Sequence, residues 1–148
     1  MHMPKRAAII GRELQIKVPV TSCWSAKLPE RGFSRVGISR GPPRRQRGYR
    51  VYRPLAPGPW LRSVDAHEFA RLYMEQLAKL DPREVLRELA AIAGTDVPAL
   101  LCFEAPGRGS CHRGLLSVWF ADTLGIRVFE YGYEDAGWGR AHPMLPKA

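Results

Sequence analysis

Between Pro98 and Pro106 lie five consecutive apolar residues, Ala99-Leu100-Leu101-Cys102-Phe103, and no other feature narrows the fold as much. The run is far too short to cross a membrane. Because it lacks polar alternation, it predicts a strand covered on both faces, as in a parallel sheet. The loop Ala105-Pro106-Gly107-Arg108-Gly109-Ser110 follows, and then a helix from about Cys111 to Leu124 that buries Leu115, Leu116, Val118, Trp119 and Phe120. Gly125 ends that helix, and Ile126-Arg127-Val128-Phe129-Glu130 supplies the next strand. A short crossover of this kind makes the two strands parallel and the connection right-handed.

The rest of the chain extends this β-loop-α-β unit. Leu14, Ile16, Val18 and Val20 alternate with polar positions and predict a strand over 14–23, with a second at 34–39 around Val36 and Ile38. Gly41-Pro42-Pro43 through Gly48 is loop, 50–53 returns as a short strand, and Pro54, Pro57 and Pro59 hold an extended connection. Phe69, Leu72, Tyr73, Leu77 and Leu80 form one apolar stripe on a helix over about 65–80, in which Phe69 and Tyr73 are packing residues. Asp81, Pro82 and Glu84 then stand in the order of a capped helix start, with Val85, Leu86, Leu89 and Ile92 inward and Gly94 as the stop. The 148 residues suit one domain, a three-layer α/β fold with a mainly parallel sheet. Its core is expected over about 14–131, with an Arg/Pro-rich loop at 40–62 and a surface coil tail at 132–148. Met1–Arg6 shows no secretory apolar core or cleavage site.

Charge divides the chain in two. Residues 1–62 carry 14 Lys/Arg against 2 acids, a net of +12, while residues 63–148 have a net of −3. Arg40, Arg44, Arg45, Arg47, Arg50 and Arg53 fall within fourteen positions, interleaved with Tyr49 and Tyr52. Forked guanidinium groups suit phosphate, and aromatic rings stack on bases. Arg44, Arg45, Arg47, Arg50 and Tyr49 are therefore candidate nucleic-acid contacts. The competing reading is a solvated Arg-rich loop with no partner.

Three cysteines, Cys23, Cys102 and Cys111, are too few and too uneven for an extracellular framework. They point to a reducing, cytoplasmic setting and to reactive or ligating roles before cross-linking ones. The loop from Cys102 to Leu115 gathers the reactive types beyond a strand's carboxyl end, where α/β sheets bind ligands. Cys111 at a helix N-terminus is placed as a nucleophile, since the helix dipole favours the thiolate. His112 and Glu104 are the candidate proton carriers. Arg113 is a candidate phosphate clamp, with Ser110 and Gly109 supplying backbone approach. A Cys₃His zinc set of Cys23, Cys102, Cys111 and His112 is the competing arrangement. Adjacent residues rarely reach one ion and no C-x₂-C pair is present, so no metal or other cofactor is expected. No nucleophile elbow, phosphate P-loop or dinucleotide glycine motif occurs either.

Leu100-Leu101-Cys102-Phe103-Glu104 followed by Cys111-His112-Arg113 resembles the family catalogued as domain of unknown function 488, in which such a strand, loop and helix start recur. Ile38-Ser39-Arg40-Gly41-Pro42 resembles that family's N-terminal loop motif, and Leu55-Ala56-Pro57 its middle motif. The likeness covers about residues 18–131. It implies a single α/β domain with its site at the Cys-His-Arg loop and Ser39 and Arg40 as neighbours. Combined with the basic half, it leads to the expectation of an enzyme acting on nucleic acid or a nucleotide, or else of a nucleic-acid-binding module without catalysis. No membrane partner is expected.

Overall fold

The computed structural model describes residues 7–9, 15–41, 49–106 and 111–145. A short antiparallel hairpin opens the chain, β1 (Ala7–Ile9) against β2 (Gln15–Lys17). The expected strand over 14–23 is divided at Pro19, which has no N–H for a ladder, so β3 (Val20–Cys23) begins afresh in a second sheet. That sheet also holds β4 (Phe33–Gly37), β5 (Arg50–Val51) and β6 (Val97–Cys102), in the order β3-β6-β4-β5. Every pair in it is parallel. The central strand is β6, and all six of its residues are buried.

Three helices cover one face: α1 (Ala66–Ala78), α2 (Pro82–Ala93) and α3 (His112–Leu124). Asp65 caps α1 by accepting Glu68 N–H at 2.8 Å, and Asp81 caps α2 by accepting Arg83 N–H at 3.0 Å. Gly94, with φ +65°, follows α2, and Gly125, with φ +68°, follows α3. Both lie in the region that glycine enters without steric cost. Leu100 and Cys102 point from β6 into a core with Leu77, Leu86, Leu89, Leu116 and Phe120, whereas Ala99 and Leu101 face the other way. On that second face the third layer is built from the chain after β3, chiefly Trp24 and Leu28, with Phe33 and Tyr131. Among the described residues no helix is long and apolar enough to cross a membrane.

Two expectations for the C-terminal third change. The strand over 126–130 shrinks to a parallel bridge of Glu130 with Thr21, held by Thr21 N–H on Phe129 O at 2.9 Å and Tyr131 N–H on Thr21 O at 2.8 Å. The tail is irregular, with short 3₁₀ turns at Glu134–Ala136 and Gly139–Ala141, but it is not a surface coil. His142 and Met144 are buried, and Cys111 N–H donates to Met144 O at 3.0 Å. A Cβ on Gly114 would lie 2.6 Å from Met144 C, so the bare glycine is what lets the tail lie on the first turn of α3. Packed by sheet, helices and tail, α3 is buried continuously from His112 to Phe120.

Candidate active site at the start of helix α3

The end of β6 and the start of α3 bring Cys102, Cys111, His112 and Arg113 together. Cys111 is the N-cap of α3 in extended conformation, and its side chain makes no capping bond. Its sulfur lies 3.4 Å from His112 Nδ1, and His112 Nε2 lies 2.6 Å from Ile38 O. A carbonyl only accepts, so Nε2 carries the proton and Nδ1 presents its lone pair to Cys111. Burial holds the imidazole down at about 4, and Arg113's charge adds to this against the opposing pull of the Ile38 carbonyl. The neutral ring is enclosed by Tyr73, edge-on at 5.2 Å, and Phe69 at 6.4 Å. The two aromatic residues are thus core residues that also form the wall around His112.

Arg113 is completely buried and does not face solvent as an open clamp. Its Nε and Nη2 donate to Glu130 Oε1 and Oε2, each at 2.8 Å, and its Nη1 donates to Cys102 Sγ at 3.0 Å. Glu130 Oε1 also accepts the Thr21 hydroxyl at 2.8 Å. His142 completes the line. Its Nδ1 accepts Met144 N–H at 3.0 Å, which leaves Nε2–H to donate to Thr21 Oγ1 at 2.7 Å. Burial is the main reason that His142 is also held down at about 4, and so neutral at pH 7. A buried guanidinium, a carboxylate, a hydroxyl and an imidazole thus satisfy one another and end at the Cys102 sulfur.

The sulfurs of Cys102 and Cys111 meet in a disulfide pairing across the loop. This departs from the expectation that the cysteines take reactive or ligating roles before cross-linking ones. Their Cα atoms are 7.6 Å apart, and the two residues lie 9 positions apart in sequence. Cys102, Cys111 and His112 also place three ligand atoms within 4.8 Å of one another. Three is the number of protein ligands a catalytic zinc uses. Cys23 lies outside this set and contacts Ser25 at 3.4 Å, so the four-ligand arrangement is not assembled.

The other candidates scatter. Glu104 is exposed past the end of β6, and the carboxylate that meets the Cys-His-Arg motif is Glu130. Ser39 is buried and already engaged, accepting Trp24 Nε1–H at 3.1 Å and donating to Gly41 O at 2.8 Å, while Arg40 is exposed. Tyr49 and Arg50 are exposed beside β4. Gly109, Ser110, Arg44, Arg45 and Arg47 lie outside the described residues. The residues that the sequence reading passed over are Thr21, Glu130 and His142. Only Glu130 carried a local signal, an acid ending the expected strand Ile126-Arg127-Val128-Phe129-Glu130.

Residues 18–124 match the family model described as DUF488-N3a, active DUF488-N3 subclade, a span that includes β3 to α3 and the Cys-His-Arg motif. No curated protein and no solved structure matches the chain.

Proposed function

The chain belongs to the DUF488 family, and on that premise we propose that it is a thiol-dependent enzyme acting on a phosphate-bearing substrate, nucleic acid or nucleotide. One observation carries this reading. Cys111 Sγ, His112 Nδ1–Nε2 and Ile38 O stand in line as nucleophile, base and orienting acceptor, the arrangement that activates a thiol. In the reduced protein His112 Nδ1 takes the Cys111 proton as the sulfur attacks the substrate phosphorus, and the Ile38 carbonyl keeps the ring in the tautomer that can do so. The P–O bond to the leaving group breaks, the leaving oxygen takes that proton, and water then frees the phosphate from the sulfur. Arg113 acts through Cys102, stabilising negative charge on the second sulfur from a position fixed by Glu130. The substrate's phosphate would then be met by the amides at the start of α3 and not by the Arg113 side chain. Paired with Cys102, Cys111 has no free thiol to attack with, so the competent form is the dithiol.

The test is turnover of short DNA, short RNA and free nucleotides by reduced protein, with Cys111→Ser and His112→Gln beside the wild type. The expected result is loss of at least a hundredfold in both variants, and loss in wild-type protein kept oxidised. Equal turnover in all three would end the assignment.

A second reading, nucleic-acid binding without turnover, is favoured by the burial of both Cys111 and His112, at 6% and 7% exposed. It predicts binding that survives Cys111→Ser with no product under any redox condition.

A further inference from the structure

We propose that a groove along the free edge of β4 is a binding site for single-stranded nucleic acid, with bases stacking at Tyr49 and phosphates held by Arg35 and Arg50. The proposal deepens the function proposed above, and rests on it in taking nucleic acid as the ligand. The groove follows from strand lengths. β4 runs from Phe33 to Gly37, but β5 pairs only with Val36 and Gly37. Residues 33–35 therefore have β6 on one side and no strand on the other among the described residues. The open edge borders a groove of about 580 Å³ whose lining includes Glu30, Phe33, Ser34, Arg35, Tyr49 and Arg50.

The chemistry of that lining is selective. Tyr49 keeps 41% of its surface exposed. It is held in place, with its ring 5.9 Å from that of Trp24 and the Arg35 guanidinium 5.8 Å from its centroid. A ring fixed this way offers a π-surface with little ordering cost, which suits base stacking of any sequence. Arg50 is exposed, and neither it nor Arg35 is in an ion pair among the described residues. Glu30 is the one acid in the lining, against the two arginines, within a half of the chain whose net charge is +12. In a duplex the bases are already stacked and paired, whereas a narrow edge with one aromatic platform and two forked cations matches a single strand, whose bases are free to stack. β4 also leads to the thiols. Trp24 donates to Ser39, and Ile38, just beyond β4, supplies the carbonyl that holds His112. From Arg35 to Ile38 the strand rise covers about 10 Å, so a strand lying in the groove is within a few nucleotides of Cys111.

The experiment is fluorescence anisotropy of a short labelled oligothymidylate and its uridylate counterpart over a salt series, on reduced full-length protein. Tyr49→Ala is expected to weaken binding roughly tenfold, and Tyr49→Phe to restore most of it. Arg50→Ala should lower the slope of log affinity against log salt by about 0.7. Arg140→Ala, at an exposed arginine paired with Asp122, should change nothing, and circular dichroism should show all variants folded. Binding is read without turnover, so a failure of the thiol chemistry leaves this result standing. No binding at low salt, a duplex bound more tightly than either single strand, or Tyr49→Ala and Arg50→Ala both equal to wild type would overturn the proposal. Turnover of free nucleotides without strand binding would overturn it while sparing the thiol assignment.

Discussion

Replacing Glu130 by Gln tests the buried support beneath the thiols with the least change of shape. Arg113 is wholly buried, and two of its nitrogens donate to the two carboxylate oxygens at 2.8 Å. A glutamine removes the counter-charge and turns one acceptor into an amide NH₂ facing another donor. Breaking a buried pair from one side costs about 3–5 kcal/mol, because the remaining charge stays desolvated without compensation. Against a total stability of roughly 5–15 kcal/mol this is a large share, and with a urea slope near 2 kcal/mol/M it moves the midpoint down by about 2 M. The double variant Arg113→Met with Glu130→Leu should recover at least half of that loss, since apolar replacement of both partners is close to neutral. Thr21 keeps an acceptor in that background, as its hydroxyl lies 3.3 Å from Phe129 O. The assay is equilibrium urea unfolding of Glu130→Gln, of the singles Arg113→Met and Glu130→Leu, and of the double. A loss below 1 kcal/mol for Glu130→Gln would refute the burial of the charge, and a double variant as unstable as the sum of the singles would refute the pairing.

Two more perturbations read the same region. Because His112 and His142 are held at about 4, below the ordinary 6.5, stability is fully present above pH 6.5 and falls as pH drops toward 4. The loss is about 3 kcal/mol per histidine by pH 4, and His112→Gln should remove its share of the slope in urea melts; a slope unchanged by that variant would contradict the neutral, buried ring. Gly114→Ala places a methyl against the Met144–Leu145 backbone, so it should cost about 1–3 kcal/mol and open 132–145 to proteolysis, whereas wild-type protection would show that the tail does not rest on α3.

The local parts of the structure were legible in the sequence. Asp65, Asp81-Pro82 and Gly94 marked helix ends that depend on nearby backbone groups, and the apolar run at β6 declared a covered strand. Pro19 was the readable signal that the strand over 14–23 must be divided, since a missing N–H acts at one position whatever the alternation around it. Cys111, His112 and Arg113 stood together in the chain, so their meeting at one helix start was visible. What Arg113 does there was not. Its carboxylate lies 17 residues on, and Thr21 reaches Glu130 and His142 across 109 and 121 residues. Contacts at that range leave no periodicity. For the same reason the tail, anchored by the single residues His142 and Met144, resembled coil.

The most direct measurement of the central claim is the alkylation rate of each cysteine in reduced protein between pH 6 and 8, resolved by peptide mass spectrometry after iodoacetamide. A Cys111 activated by His112 should react fastest of the three and slow at least tenfold in His112→Gln, which keeps a donor for Ile38 but offers no basic ring nitrogen. A Cys111 that reacts no faster than Cys23, or at the same rate with and without His112, would contradict the reading of this helix start as an active site.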